Sequence, residues 1–173
     1  MAAVFEFELV FALPRDVAVS DETIDRLYEA GLHDAVVGSG VPGMVAVALE
    51  REGEQAEATI LASVEQCLSS LPEGSELREV RPDLVSLAEV AGKLDVSRQA
   101  LQKRRDIPKP AVAGLYRTSE IYRALIQGEG KTSRVMASAS GWFEASAGAQ
   151  SINARMALGE YRPSRGPDKR ASG

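Results

Sequence analysis

Cysteine is almost missing from this chain of 173 residues: Cys67 stands alone, which excludes an internal disulfide framework. Histidine is as scarce, with only His33, and there is no Cys-x-x-Cys, so a cysteine–histidine zinc site lacks its ligands. No metal or other cofactor is expected. Aromatics reach only 5%, so any core is mainly aliphatic. Long apolar runs are absent too; no stretch approaches the roughly 18 residues of a membrane span. The N-terminus has no basic segment leading into an apolar one, so a cytoplasmic protein without a membrane partner is expected. Hydrophobic residues at 45% and charged residues at 26% still suffice for an ordinary core, in one domain or two small ones.

The net charge of −5 is unevenly distributed. Met1 to Ser97 holds 19 acids against 6 bases, a net −13. Arg98 to Arg117 holds 6 bases against 1 acid, a net +5, and Thr118 to Gly173 carries +3. Nucleic-acid affinity follows the field of the contacting face, so a basic segment on an acidic body is compatible with it.

The first 82 residues read as an α/β sandwich. Phe5, Phe7, Leu9, Phe11 and Leu13 alternate with Glu6 and Glu8, the period of a half-buried strand that Pro14 ends. Ser20 caps a helix striped by Ile24, Leu27 and Tyr28 and closed by Gly31. A short strand at Asp34–Val37, a glycine-rich turn and a strand from Met44 to Glu50 follow. A second helix, Glu54–Leu71, carries Ile60, Leu61, Val64, Leu68 and Leu71, with Cys67 as a small packing residue beside them. Glu76–Arg81 reads as a last strand. The order βαββαβ is that of the ferredoxin-like split βαβ, with Glu6, Glu8, Ala46, Ala48 and Glu50 on its outer face, suited to solvent or a polar dimer contact.

Beyond Pro82 the pattern changes. Ser86 and Glu89 form a capping box, and Leu87, Val90, Ala91 and Leu94 make a buried stripe. Ala91 supplies the small residue where two helices cross, Val96 fills the space beneath the turn, Ser97 caps the next helix and Leu101 anchors it. This spacing resembles the helix-turn-helix of bacterial regulators. Ile107–Arg117 resembles the short wing of MerR-type and excisionase or AlpA-type proteins, and Thr118–Leu125 the helix after it. The resemblance covers Leu84 to Leu125. Asp95 stands where glycine is usual in the turn, and Arg104 where longer recognition helices keep an apolar residue.

The resemblance implies a helix over 97–105 that enters the major groove. Arg98 then suits guanine, and Gln99 and Gln102 suit adenine. Lys103, Arg104 and Arg105 would reach phosphates, as would Lys109 and Arg117 from the wing; Ser97 can take a phosphate through its hydroxyl. A solvated basic face is the plainer reading of Arg105 or Lys109 taken singly.

Other patterns carry less. Gly38-x-Gly40-x-x-Gly43 precedes a strand rather than a helix, so a hairpin loop is expected instead of a dinucleotide site. Gly130-Lys131-Thr132 lacks the first glycine of a phosphate loop, and His33 has no serine or cysteine nearby to activate. No pair of titratable groups forms an acid–base site, so no enzyme is expected. In the tail, Val135, Ala139, Trp142, Phe143, Ala149, Ile152 and Met156 recur at near-helical spacing. A helix so rich in Gly and Ser orders against something: its own body, a second copy or another protein. Trp142, Phe143, Ile152 and Met156 are the candidate partner or dimer residues. Arg162–Arg170 reads as a basic, disordered end.

The expected architecture is therefore α+β: a ferredoxin-like module at 1–82, a winged helix-turn-helix at 83–127, and a helical, then flexible, tail at 128–173. The expected function is sequence-specific binding of double-stranded DNA, as a homodimeric transcriptional repressor. The alternative is a protein-interaction module, such as an antitoxin or phage-type adaptor, that captures a partner through the N-terminal domain or the tail.

Overall fold

The computed structural model describes residues 1–32, 34, 36–38, 40–128 and 132–167. His33, Ser39, Gly130, Lys131 and Asp168–Arg170 lie outside them, as does the side chain of Val135. The chain is α+β.

Four strands make the main sheet: β1 (Ala3–Ala12), β2 (Val36–Gly38), β3 (Met44–Gly53) and β4 (Glu76–Arg81), in the order β2-β3-β1-β4. Every neighbouring pair is antiparallel. Two helices, α1 (Asp21–Glu29) and α2 (Ala56–Ser70), connect them. The alternation is realised as expected: Phe5, Phe7, Leu9, Phe11 and Leu13 are all buried, with Val45, Val47 and Leu49 beside them. Each such side chain contributes about 1.5–3 kcal/mol by leaving water. Ile60, Val64, Cys67 and Leu68 of α2 close this core, and burial pushes the Cys67 thiol up to about 12.

The stripe expected on α1 is only partly buried. Ser20 accepts from the Thr23 amide and Leu27 is buried, but Ile24 and Tyr28 are exposed. Thr23 and Leu27, four residues apart on one face, are the positions buried instead.

A second, smaller unit follows. A two-stranded sheet pairs β5 (Leu84–Val85) with β6 (Tyr116–Arg117). Between them lie α3 (Leu87–Leu94) and α4 (Arg98–Gln102), and α5 (Thr118–Gln127) comes after. The last element is α6 (Thr132–Ala157).

Helix α6 belongs to both cores. Met136, Ala139, Trp142 and Phe143 pack with α3, α4 and α5, whereas Ala145, Ala149 and Ile152 pack with the large sheet. Its small residues permit this. A Cβ on Gly141 would collide with the Val4 carbonyl of β1, and one on Gly148 would lie 2.7 Å from the Glu57 amide of α2. The glycines that weaken the helix on its own let its backbone approach two elements closely.

The edge of β4 is also covered by the tail. Asn153 of α6 accepts from the Val80 amide at 2.8 Å and donates to the Val80 carbonyl at 2.7 Å, matching a strand partner. Past the helix, Arg165 and Pro163 exchange backbone bonds with Gly74, Ser75 and Leu77. The expectation of disorder at Arg162–Arg170 is therefore corrected for its first part: a free strand edge is a pairing template, and residues 163–165 occupy it.

Candidate nucleic-acid interface

The small unit is built by local signals that act in sequence. Ser86 begins α3 with a reciprocal capping box, its hydroxyl accepting from the Glu89 amide while the Glu89 carboxylate accepts from the Ser86 amide at 2.7 Å. Leu87, Val90, Ala91 and Leu94 are buried as the spacing predicts. Asp95 ends the helix in the left-handed conformation, at φ 52°, and the Val96 amide donates back to the Ala91 carbonyl at 3.0 Å. Ser97 then accepts from the Ala100 amide and starts α4, which Leu101 anchors at 2% exposure.

Two expectations about this region change. Val96 does not fill the space beneath the turn; it is 40% exposed, because the left-handed residue before it turns the chain outward. The helix expected over 97–105 spans only Arg98–Gln102. Lys103 is its C-cap, and Arg104 bonds back to the Leu101 carbonyl in a final tight turn. The chain after it bears charged residues where a longer helix would need an apolar one. Ile107 supplies that anchor instead, packed against the second core from a loop.

The segment expected as a wing contains a small hairpin. Val112 and Leu115 bridge across Ala113 and Gly114, which both have positive φ, at 49° and 78°. That pair of conformations is the type I′ turn, whose twist suits a two-residue hairpin.

The predicted contact residues divide into two groups. Ser97, Arg98, Gln99, Gln102, Lys103, Arg105 and Lys109 are all exposed on α4 and the loop after it. Among the described residues, none of Arg98, Lys103, Arg105 and Lys109 has an ion-pair partner. Arg104 and Arg117 are different. Arg104 grips the Asp106 carboxylate with Nε at 2.8 Å and Nη2 at 2.5 Å. These hydrogen bonds hold the Asp106 carboxyl below its ordinary range and raise Arg104. Arg117 is half-buried, with Nη1 3.5 Å from Asp83, at the base of the unit rather than on its outer face.

The four residues read as a partner or dimer contact lie inside the chain. Phe143 and Ile152 have no exposure, Trp142 has 8%, and Met156 packs at the margin of the large core. Phe143 stacks on Tyr122 at 5.4 Å and meets Trp142 edge-on at 5.0 Å. Of the three ways the tail helix could become ordered, packing on its own body is the one the structure takes.

Sequence reasoning missed two residues, one that joins the units and one inside the small unit. Lys93 of α3 forms an ion pair with Glu6 of β1 and lies 5.6 Å over the Trp142 ring. Only its place on the face of α3 opposite the buried stripe hinted at this. Asp106 was counted only as a charge; its spacing two residues after Arg104 was the available signal. The dinucleotide-like glycines form no phosphate loop, since Met44 continues directly as β3. Among the described residues no cluster of metal-ligating side chains occurs, and no helix is long and apolar enough to cross a membrane. Comparison with family models, curated proteins and solved structures finds no match in any of the three.

Proposed function

We propose that this chain is a sequence-specific double-stranded-DNA-binding protein, a transcriptional regulator that places α4 in the major groove. The observation that carries the reading is a set of exposed cations close together in sequence, Arg98, Lys103, Arg105 and Lys109, with no ion-pair partner among the described residues, on an otherwise acidic chain. Cations with no internal partner are available to phosphates, and each phosphate neutralised releases condensed counterions. Arg98 and Gln99 stand at the start of α4, where side chains meet base edges, and their guanidinium and amide groups match guanine and adenine.

The order of elements supports a winged helix-turn-helix: a paired strand, two helices, a hairpin and a third helix. The strand order β4-β1-β3-β2 supports a ferredoxin-like reading of the first unit. A homodimer on two half-sites, acting as a repressor, is the form in which one short recognition helix gains enough contacts for specificity. Trp142 and Phe143, on which the tail form of the protein-interaction alternative rested, are buried.

The test is fluorescence anisotropy on the gene's own upstream DNA against scrambled DNA, with Arg98→Ala/Gln99→Ala beside the parent. The reading requires preferential binding by the parent and loss of that preference in a variant with unchanged circular dichroism. Equal, weak binding of both DNAs by both proteins would refute specific recognition of that DNA.

A further inference from the structure

The basic run Lys103-Arg104-Arg105 follows α4 without a break, yet its members point to different tasks. Lys103 and Arg105 are exposed and have no ion-pair partner among the described residues, whereas the Arg104 side chain is only 25% exposed. Its guanidinium forms a two-point fork with Asp106, two residues further on. The fork rests against Gly128, which follows α5. A Cβ at Gly128 would lie 2.8 Å from Asp106 Oδ2 and 3.0 Å from Arg104 Nη2. The Arg104 amide is also bonded, to the Leu101 carbonyl at 3.1 Å.

We propose that Arg104 and Asp106 are positioning residues: their fork, seated on Gly128, sets the path of the chain that presents Arg105 and Lys109. The proposal rests on the DNA-binding reading and deepens it, by removing Arg104 from the phosphate contacts assigned to it above. The physical case is one of geometry and charge. Ordering two long cationic side chains near phosphates costs conformational entropy, so a loop fixed beforehand binds more tightly than a mobile one. Without its fork, Asp106 would be an unpaired anion on the surface that faces phosphate. Paired with Arg104, it holds the loop while its charge is neutralised locally.

The two roles differ in sign and in salt dependence. If Arg104 touched phosphate, Arg104→Ala would lower the slope of log K against log salt by about 0.9. Asp106→Ala, which removes an anion, would then tighten binding. A positioning pair behaves oppositely. Arg104→Ala, Asp106→Ala and the double variant would each weaken DNA binding by a similar factor, about three- to tenfold, with non-additivity in the double variant. The slope would stay at the parent value in Arg104→Ala, whereas Arg105→Ala would lower it. Gly128→Ala, which alters no charge, would shift the fork and weaken binding in the same direction but by less, since the atoms it crowds are the ends of two side chains.

A second measurement needs no DNA. Amide hydrogen exchange at positions 103 and 104, followed by NMR in the parent, Asp106→Ala and Gly128→Ala, reads the order of this turn directly. Faster exchange at these amides, with the rest of α3 and α5 unchanged, is expected. Exchange unaltered in both variants would overturn the positioning role whatever the DNA result. A parent that binds no DNA but whose variants show faster exchange would refute the DNA reading and leave the fork's structural action supported. Tighter DNA binding by Asp106→Ala, with a reduced slope in Arg104→Ala, would overturn the proposal and return Arg104 to the phosphate contacts.

Discussion

The chain before Arg98 and the stretch from Arg98 to Arg117 treat their cations in opposite ways. Of the six bases before Arg98, five are in ion pairs: Arg26, Arg51, Arg78, Arg81 and Lys93. Of the six from Arg98 to Arg117, only Arg104 and Arg117 are paired among the described residues. An acidic environment provides carboxylates for nearly every base before Arg98. The later stretch holds one acid, so most of its cations face water. The difference concerns available charge more than net charge, and it shows why a chain at −5 can offer a cationic surface.

The two units are alike in one respect, their dependence on α6, and the largest expected effect tests that. Phe143 fills the small core and Ile152 the large one, both without exposure. Phe143→Ala is expected to cost about 3–5 kcal/mol. Urea unfolding followed by Trp142 fluorescence and by reactivity of the buried Cys67 thiol should show both midpoints falling together. A Trp142 transition that moves alone would divide the molecule into independent domains. Deletion of α6 is accordingly no clean test for a tail partner, since it would open both cores.

A smaller effect sharpens the contrast in charge. Arg98→Ala is expected to cost about 1–3 kcal/mol of discrimination against the wrong base at one position, without change in urea stability. A loss of stability instead would mean that Arg98 is structural, like Arg104.

Asp95→Gly probes the turn between α3 and α4. Asp95 occupies the left-handed region at φ 52°, where glycine carries no Cβ penalty, so a gain of roughly 0.5–1 kcal/mol in urea stability is expected. A loss would show that the Asp95 side chain contributes more than its backbone strain costs. The smallest effect belongs to the paired side of the comparison. Arg26 and Glu22 are 56% and 73% exposed, and Glu22→Gln should change stability by only about 0.3–0.5 kcal/mol.

Much of this organisation was legible in the residues, unevenly. Strand β1 and the capping box at Ser86 were readable because each is encoded within one short segment, by alternation in the first and reciprocal side-chain bonds in the second. The end of α4 was not, because helical spacing continued through charged residues while the stabilising contact, Ile107, lay in the following loop. The role of α6 was hidden for a different reason. Its apolar positions show a helix, but Gly141 and Gly148 gain meaning only from β1 and α2, which lie far away in sequence. Likewise the pairing of Lys93 with Glu6 joins residues from separate units. At the candidate site, exposed Arg98 and Gln99 follow from their place at the start of a capped helix, whereas the distinction between Arg104 and Arg105 needed coordinates.

The measurement closest to the central claim is the salt dependence of DNA affinity for the parent and for a variant with Arg98, Lys103, Arg105 and Lys109 all changed to Gln. The account predicts a folded variant whose slope of log K against log salt is shallower by about 3, one phosphate lost for each of Lys103, Arg105 and Lys109. A slope equal to the parent's would place the DNA-contacting surface elsewhere and contradict the account.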